Sequence, residues 1–480
     1  MRKTAAAVVC VLGAVAALLA NRLPAADDAD EKVDAFVGSE LERQRIPGVE
    51  LGVYRDGKLT KARGYGLANV EWNAAVTPDT IFQSGSVGKQ FTATAVMMLV
   101  EEGKVGLDDP VKKYFPDAPA TWNDIKVHNL LSHTSGLSEY ETGARTKAGG
   151  PFYMRLDYTE DELYKKIVEM PMDFKTGEDW AYRNTNYVLL GILIHRLTGQ
   201  FYGDFLQERV FKPLGMRRTR IISEEDIIPR RAAGYQLVKG ELKNQEWVSP
   251  SLNSTADGAL YFTVEDLQKW DAALYTEKLL RKASLERMWT VEKLNNGKPN
   301  KAKYGFAWEI DSVNGHRVIA HGGAWQGFTC YIARYVDDRL TVVALTNLDS
   351  GHSNPKKIVT GVAAIYNPAL KPTEEKPIAD KEPQVTQMVR RLLQDIADGK
   401  AIPEQFTEEL RKHLFPNEIQ ELGPALKEMG DVKALELMEK TDGGEQRNYR
   451  YRARYSLRTI MVSIGLTRGD QIAKLDFSVE

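Results

Sequence analysis

The chain is poor in cysteine and histidine and has no large excess of charge of either sign. Its 480 residues include two cysteines, Cys10 and Cys330. Because we expect Cys10 to be lost with an N-terminal leader, the mature chain keeps one cysteine and no internal disulfide. The balance of 64 basic against 66 acidic residues gives no indication of a nucleic-acid partner. The seven histidines form no H-x-x-x-H pair, so we predict no metal site, and we expect no cofactor.

Long apolar runs are equally scarce, except at the N terminus. The chain opens with a short basic stretch, continues through an apolar run from Ala5 to Ala20, and reaches small residues at Ala25 and Ala26. This layout is typical of a secretory signal peptide, which we predict over residues 1–26. We therefore expect an exported protein, periplasmic or extracellular. A buried N-terminal helix is the alternative, and a membrane anchor follows only if the leader is retained.

Strand patterns lie at both ends of the region 49–345, with helical patterns between them. The strand patterns cover Val49–Tyr54, Lys58–Tyr65, Phe306–Val313, His316–His321, Phe328–Tyr335 and Leu340–Leu345. Several of them are joined by hairpin signals such as Asp56-Gly57. The simplest arrangement is one sheet built from distant parts of the chain and interrupted by a helical insertion.

The C-terminal part has a different composition. Four prolines fall within residues 368–383, which predicts an extended linker. Helical patterns and then strand patterns follow, typical of a small α+β domain at 384–480. We therefore divide the chain into a leader (1–26), a main domain (27–367), the linker and the small domain, whose role the sequence leaves open.

The segment NYRYRARYSLR, residues 448–458, alternates basic and aromatic side chains. Such interleaving can bind single-stranded nucleic acid. One solvated face of a strand explains the same pattern, and we favour that explanation in an acidic, exported protein. We therefore expect no nucleic-acid partner.

The segment GSVGK, residues 85–89, allows two interpretations. A phosphate-binding Walker loop requires G-x-x-x-x-G-K-[ST]. Here the loop is two residues too short, and Gln90 stands where a magnesium-binding Ser or Thr belongs. The phosphate interpretation therefore fails on geometry.

The same segment also reads S-x-x-K, with Ser86 and Lys89 at a predicted helix start. Side chains at i and i+3 share a helix face, so these two would touch. A serine hydroxyl needs a base to become a good nucleophile, and burial lowers the pKa of a lysine toward neutrality. The motif by itself is weak, because Ser353 and Lys356 make a second copy, which we attribute to chance in a loop.

Two further motifs offer the groups that such a nucleophile needs. The Y-R-N at residues 182–184 is the one Y-x-N in the chain; its phenol can relay a proton, and its amide can orient the substrate and the lysine. The H-G-G at residues 321–323 ends a predicted strand, where glycines let a substrate lie close to the strand edge. Each motif also has a plainer explanation, namely a loop tyrosine packed on the core and a histidine satisfied within the protein.

The order of the three motifs decides between these interpretations. In this arrangement the chain resembles the serine beta-lactamase and penicillin-binding-protein-like family, in the branch with class C beta-lactamases, D-Ala-D-Ala carboxypeptidases, D-aminopeptidases and family VIII-type esterases. LLSHTSGL at 130–137, TGEDWAYRNTNY at 176–187 and YGFAW at 304–308 are similar to signatures of that family. The resemblance covers roughly residues 30–366. It implies an α+β fold, with a DD-peptidase/beta-lactamase-like antiparallel sheet flanked by helices and an inserted helical subdomain.

The resemblance also implies a role for each motif residue. Ser86 is the acylated nucleophile and Lys89 is its base. Tyr182 carries the proton to or from the leaving group, and Asn184 contacts both the substrate and Lys89. His321 stands where beta-lactamases usually carry a lysine.

The oxyanion hole implied by the resemblance combines two backbone N–H groups, those of Ser86 and Ala324, beside Gly322 and Gly323. Losing one such donor typically slows acyl transfer by about a hundred- to a thousandfold.

Two departures from the family pattern affect the expected substrate. Arg183 replaces a small residue within Y-x-N, where it either narrows the cleft, selects an anionic substrate or points away. Lys175-Thr176-Gly177 copies the K-T-G third motif at the wrong place, and we interpret Gly177 as part of a turn. With His321 in the third motif, a peptidase or esterase is favoured over a true beta-lactamase.

We therefore expect an exported serine hydrolase that forms an acyl-enzyme on Ser86. Its substrate is a small molecule or peptide with an amide or ester bond, and D-amino-acid peptidase, carboxypeptidase and esterase activities all stay open, including action on peptidoglycan-derived peptides. A beta-lactam-hydrolysing enzyme and a non-catalytic scaffold with a hydrolase fold are the alternatives.

Overall fold

The computed structural model describes residues 26–141, 152–373, 375–456 and 458–479. The expected signal peptide, apart from its last residue, lies outside the described residues. The helices are α1 (Ala26–Gln44), α2 (Lys89–Glu101), α3 (Val127–Leu131), α4 (Glu160–Val168), α5 (Asn184–Thr198), α6 (Tyr202–Leu206), α7 (Lys212–Leu214), α8 (Val264–Ala273), α9 (Lys282–Met288), α10 (Pro355–Tyr366), α11 (Pro383–Ala397), α12 (Glu408–Leu414) and α13 (Asn417–Glu428).

The strands are β1 (Gly48–Arg55), β2 (Lys58–Asn69), β3 (Ala74–Ala75), β4 (Phe82–Gln83), β5 (Arg220–Ile221), β6 (Tyr235–Val238), β7 (Glu241–Asn244), β8 (Leu260–Phe262), β9 (Glu309–Val313), β10 (His316–Trp325), β11 (Phe328–Tyr335), β12 (Leu340–Thr346), β13 (Val432–Asp442), β14 (Gln446–Tyr455), β15 (Thr459–Thr467) and β16 (Ile472–Val479). Short 3₁₀ turns occupy Gly85–Gly88, Val111–Lys113, Ala120–Trp122, Leu252–Ser254, Val336–Asp338, Pro368–Leu370 and Pro403–Gln405. A π-helical turn occupies Gln207–Phe211.

A seven-stranded antiparallel sheet joins the two ends of the main region. Its order is β3-β2-β1-β12-β11-β10-β9. The closing pair is β1 with β12, whose register runs from Val49↔Thr346 to Arg55↔Leu340. This confirms the expectation of an α+β fold in which one sheet is built from distant parts of the chain.

Both faces of this sheet are covered. On one face α1 and α10 pack through Val33, Val37 and Ile358 against Leu51 and other sheet residues. On the other face lie α8 and the helical insertion. Because both faces of the central strands are covered, β11 and β12 are buried at every position, and their sequences are mostly apolar rather than alternating.

Helix α2 forms the centre of the insertion. Every residue from Lys89 to Leu99 is buried, as expected for a helix enclosed on all sides. The segment before it is fixed by a second, small sheet of order β4-β8-β5. This sheet brings the start of α2 close to the loop that precedes β8.

The C-terminal residues form a separate core. Strands β13 to β16 make an antiparallel meander that packs with α11, α12 and α13 around one apolar cluster. In β14 the rings of Tyr449 and Tyr451 are buried in that cluster, while Arg450 pairs with Glu375 and Glu439. The alternation of arginine and tyrosine therefore sorts rings into the core and guanidinium groups into ion pairs.

Helices long and apolar enough to cross a membrane are absent from the described part of the chain.

Three local boundaries differ from the sequence-based expectations. Ser86 precedes α2 in the 3₁₀ turn instead of opening the helix. The strand expected to stop at His321 continues to Trp325, because β11 pairs with it as far as Trp325↔Phe328. The strand expected from Phe306 begins at Glu309, because Ala307 has a φ of 63° and the chain turns there, with the Gly305 N–H donating to the Trp308 oxygen at 2.8 Å.

Glu50 on β1 is a fully buried acid. Its Oε1 accepts the N–H of Val264, the first residue of α8, at 3.2 Å. Burial raises the pKa of Glu50 well above its usual 4.5, and the nearby charges of Glu265 and Asp79 raise it further. The native state therefore keeps a proton that the unfolded chain releases.

We expect stability to fall as the pH rises above about 4.5, the unfolded-state pKa, toward the raised folded-state pKa. Glu50→Gln removes this dependence and keeps an acceptor for the Val264 N–H. Urea unfolding at pH 5 and pH 8 should show a smaller loss of unfolding free energy in the variant than in the wild type. The exposed Glu42→Gln serves as control, and equal losses in the wild type and Glu50→Gln would contradict the assignment.

Candidate active site

Ser86 lies in the 3₁₀ turn Gly85–Gly88, which leads directly into α2 at Lys89. Side chains three residues apart eclipse each other in this geometry, which brings Ser86 Oγ within 3.0 Å of Lys89 Nζ. The turn begins at Gly85 with a φ of 45°. A Cβ there would lie 2.4 Å from the backbone nitrogen of Ala324. Glycine therefore allows the serine turn to press against β10.

Lys89 is fully buried, and three oxygens surround its Nζ. Besides Ser86 Oγ, these are Asn184 Oδ1 at 2.6 Å and the backbone oxygen of Asp257 at 2.5 Å. Three acceptors match the three N–H bonds of an ammonium group. Burial lowers the pKa of Lys89 from 10.5 to about 8, against the opposing influence of the carboxylates of Asp257, Glu141 and Glu139. A neutral amine, able to take the Ser86 proton, is therefore accessible near neutral pH.

Tyr182 lies just before α5, and its hydroxyl is buried. Lys89 Nζ lies 4.9 Å from the centre of its ring, and the His321 ring lies 6.1 Å away. Burial raises the pKa of Tyr182 well above 10, so the phenol keeps its proton at neutral pH. Between Lys89 and Tyr182, the amine is therefore suited to act as the base and the phenol as a proton donor.

Asn184 is the first residue of α5, and two acids orient it. Its Nδ2 donates to Glu141 Oε1 at 3.2 Å, and its backbone N–H donates to Glu139 Oε2 at 2.7 Å. A carboxylate is favoured at a helix N-terminus. Burial nevertheless raises the pKa of Glu139 to about 7, against the hydrogen bonds from the N–H groups of Asn184 and Glu141. The amide oxygen of Asn184 is thereby directed at Lys89.

His321 makes its hydrogen bonds inside the protein. Its Nδ1 lies 2.5 Å from the Gly322 oxygen, and its Nε2 lies 2.8 Å from the Tyr304 hydroxyl. A carbonyl can only accept, so Nδ1 carries the proton and Nε2 accepts from the phenol. Burial lowers the pKa of His321 to about 3. The ring is therefore neutral at working pH and both its nitrogens are engaged, as the plainer explanation of this motif proposes.

The end of β10 forms one side of the cleft. Pairing of β9 with β10 stops at Ala320, and Ala324 and Trp325 beyond it border the cleft. A Cβ on Gly323 would come 2.2 Å from the Ser84 oxygen, whereas a Cβ on Gly322 would meet nothing closer than 3.4 Å. Close packing against the serine turn thus requires glycine at 323 and leaves room for a side chain at 322.

Three of the expected site residues, Ser86, Asn184 and Ala324, line the cleft, and Lys89 lies buried beside the first two. The described lining of the cleft consists of Gly85, Ser86, Glu141, Asn184, Leu252, Thr255, Asp257, Gly258, Ala259, Ala324 and Trp325. Two of these residues are acidic and none is basic. The lining thus has a negative character, apart from the buried amine beneath it.

Comparison with known proteins shows the family to which this chain belongs. Residues 29–365 match the family model described as Beta-lactamase. The chain belongs to the beta-lactamase family. The resemblance stated from the three motifs is thereby confirmed.

Named relatives are similar over about two thirds or more of this chain. The chain is 28% identical over 406 residues to "Penicillin-binding protein 4*" of Bacillus subtilis (strain 168), covering 78% of this chain and 87% of the relative. It is 26% identical to "Protein flp" of Staphylococcus aureus (strain MW2), covering 68% of this chain and 64% of that protein. It is 29% identical to "Unguisins hydrolase ungD'" of Aspergillus campestris (strain IBT 28561), covering 67% of this chain and 62% of that protein. The chain thus spans less than two thirds of the last two.

Solved structures show the same fold. An octameric penicillin-binding protein homologue from Pyrococcus abyssi is similar over 94% of this chain and 98% of its own, with a TM-score of 0.63 and 23% identity, a likeness of fold alone. D-amino acid amidase from Ochrobactrum anthropi SV3 is similar over 72% of this chain and all of its own, with a TM-score of 0.61 and 26% identity. This protein is therefore a beta-lactamase-fold hydrolase related to penicillin-binding proteins and D-amino acid amidases.

The structure also shows where the two segments that depart from the family pattern lie. Arg183 turns to Asp173, with Nε and Nη2 within 2.9 Å of one carboxylate oxygen, and is not among the described lining of the cleft. Gly177 has a φ of 75°, and Glu178 N–H bonds to the Lys175 oxygen at 3.0 Å. The K-T-G copy in this beta-lactamase-family protein is therefore a turn.

Sequence reasoning missed four residues that shape the site. Glu139, Glu141 and Asp257 surround Lys89 and Asn184, and His133 packs against Tyr182. Of the four, His133 lies within the quoted 130–137 signature and could have been singled out there. The acids lie in segments without a distinctive pattern.

The lowered pKa of Lys89 predicts the pH dependence of Ser86 reactivity. With a pKa of about 8, about one tenth of the amine is neutral at pH 7 and about nine tenths at pH 9. The rate of covalent labelling by a fluorophosphonate, followed by intact mass, should therefore rise about tenfold per pH unit below pH 7 and level off above about pH 8.

Lys89→Arg is the control for that experiment, because a guanidinium cannot be deprotonated in this range. The variant should lose the pH-dependent reaction. A flat profile in the wild type, or an unchanged profile in Lys89→Arg, would remove Lys89 as the base.

Proposed function

We propose that this hydrolase cleaves amide bonds of small amino-acid or peptide substrates through an acyl-enzyme on Ser86. The observation that carries the proposal is the 3.0 Å contact between Ser86 Oγ and the buried Nζ of Lys89. A hydroxyl becomes a competent nucleophile when a neutral base of suitable pKa lies within hydrogen-bond reach. Burial with a pKa of about 8 gives Lys89 that property.

Acylation then proceeds in two parts. Lys89 Nζ takes the hydroxyl proton while Ser86 Oγ bonds to the substrate carbonyl carbon, and the carbonyl electron pair moves onto its oxygen. The N–H groups of Ser86 and Ala324, which border the same cleft, stabilise that oxyanion. As the C–N bond breaks, Tyr182 gives its proton to the leaving nitrogen and recovers one from Lys89.

Deacylation reverses the roles. A water attacks the acyl carbon and gives its proton to Lys89, directly or through Tyr182. The acyl–Oγ bond breaks, the carboxylic acid leaves with the second water proton, and Ser86 Oγ takes a proton from Lys89, which is neutral again. The enzyme thus returns to its starting protonation state.

The acidic lining of the cleft favours substrates that carry an ammonium group. Glu141 and Asp257 line the cleft beside Ser86, and none of the described lining residues is basic. The carboxylate of a beta-lactam would find no partner among these residues, since His321 is neutral and engaged. The similarity to D-amino acid amidase supports amides of D-amino acids as the substrate class.

We also propose that the protein is exported. The apolar run Ala5–Ala20 behind a basic start supports this proposal. Expression with residues 1–26 in a bacterial host, followed by N-terminal sequencing of the periplasmic fraction, tests it.

Amide turnover tests the central proposal. We expect purified protein to release ammonia from D-phenylalanine amide and to form a single fluorophosphonate adduct. Ser86→Ala should lose the adduct and reduce turnover at least about a thousandfold, because no other attacking group remains. A wild type without an adduct, or a variant that keeps it, would move the nucleophile away from Ser86.

The acidic cleft predicts a preference for a free amino group. N-acetylation of D-phenylalanine amide should lower kcat/KM about tenfold or more, the usual effect of losing a hydrogen bond to a charged group. Glu141→Gln should reduce the preference for the free amine and leave the acetylated substrate little changed. Equal kcat/KM values for both substrates in the wild type would exclude an ammonium subsite.

A further inference from the structure

We propose that His133 is a positioning residue that holds the Tyr182 phenol in place for proton transfer. The inference rests on the proposed role of Tyr182 in protonating the leaving group. His133 lies in the LLSHTSGL segment, far from Tyr182 along the chain, and it is fully buried. It packs against Tyr182 and acts through that residue.

His133 binds the backbone on both sides of Tyr182. Its carbonyl oxygen accepts the N–H of Ala181 at 3.2 Å. Its Nδ1 accepts the N–H of Arg183, also at 3.2 Å, and Nδ2 of Asn186 on α5 donates to the same nitrogen at 3.2 Å. One residue thus holds the N–H groups of Ala181 and Arg183, on either side of Tyr182, and the first turn of α5.

The imidazole also supports the phenol ring directly. Its centre lies 4.3 Å from that of Tyr182, 5.0 Å from that of Tyr304 and 5.2 Å from that of Tyr187. Tyr304 in turn donates to His321. The ring of His133 therefore fills the space behind Tyr182 and limits rotation of the phenol away from Lys89.

The protonation state suits this role. Two N–H donors point at Nδ1, so the ring proton of neutral His133 is on Nε2. Burial lowers the pKa of His133 well below 6.5, and the charge of Lys89 adds to the effect. The acceptor that holds Arg183 is therefore present throughout the working pH range.

The backbone of His133 defines a matched pair of variants. Its φ is 60°, a region in which asparagine and histidine are more common than other side chains. Asparagine places Oδ1 where histidine has Nδ1, so His133→Asn keeps the acceptor for Arg183. Leucine has nearly the same shape as asparagine and no acceptor, so His133→Leu removes it; leucine is also less common at this φ, which affects folding and not a ratio of two rates measured on one sample.

The test uses the ratio of amide to ester hydrolysis, measured with D-phenylalanine amide and p-nitrophenyl acetate on the same sample. An amine needs a proton to leave, whereas p-nitrophenolate leaves without one, so loss of the relay slows the amide selectively. Because both rates come from one preparation, the ratio does not depend on the fraction of folded protein. Tyr182→Phe gives the reference value for loss of the relay.

We expect Tyr182→Phe to lower the ratio about a hundredfold, the usual scale of general acid catalysis. His133→Leu should lower it about tenfold or more through kcat, with KM for the amide little changed, and His133→Asn should stay within about threefold of the wild type. The double variant His133→Leu/Tyr182→Phe should be no lower than Tyr182→Phe alone, because the two residues act as one unit.

Other results would overturn the inference in distinguishable ways. If Tyr182→Phe lowers the ratio and His133→Leu does not, His133 is structural and the proposed relay survives. The same conclusion follows if His133→Asn fails to recover the ratio or if the double variant is additive. If Tyr182→Phe leaves the ratio unchanged, the relay itself fails and the inference fails with it, while Ser86 labelling still reports on the nucleophile.

Discussion

The structure of this site depends on one lysine side chain kept out of water. A buried charge without partners is strongly destabilising, so the fold must either supply acceptors to Lys89 or favour its neutral form. It does both. Oxygens of Ser86, Asn184 and Asp257 surround the amine, and burial brings its pKa to about 8. These oxygens come from three separate segments, so the environment proposed to activate Ser86 exists only in the folded chain.

Burial and the charge of Lys89 together affect the protonation states of neighbouring side chains. They lower the pKa of both His133 and His321, and these rings serve as neutral hydrogen-bonding groups. The acids have the opposite role. Glu139 and Glu141 hold Asn184 at the start of α5 and offset part of the positive charge. Burial, with the added charge of Lys89, therefore keeps both histidines near the amine neutral.

Much of the fold could be predicted because its signals are local. Hairpin signals at both ends of the main region predicted the strands, including β11 and β12, which are buried at every position. The sequence did not predict the continuation of β10 to Trp325. Gly322 and Gly323 suggested a strand end, because glycine is depleted in strands. Here the same glycines lie where pairing with β9 has stopped at Ala320 and where the serine turn packs against β10.

The candidate site shows the same contrast between contacts close in sequence, which could be predicted, and contacts between distant segments, which could not. The pairing of Ser86 with Lys89 follows from a spacing of three residues and could be read directly. The acids near Lys89 could not, because only the folded chain brings Glu139 and Asp257 to it. The engagement of His321 depends on Tyr304, which carries no sign of that contact in its own segment.

Around the serine turn, main-chain segments are in direct contact, and this limits how the substrate range of the enzyme can change. A Cβ on Gly258 would lie 2.7 Å from the Gly85 carbonyl, and one on Gly323 would strike Ser84, so the main chains touch with no side chain between them. The width of the end of the pocket proposed to stabilise the oxyanion is therefore fixed by the main chain. A change of substrate range would have to come from side chains of the lining, such as Glu141 and Leu252.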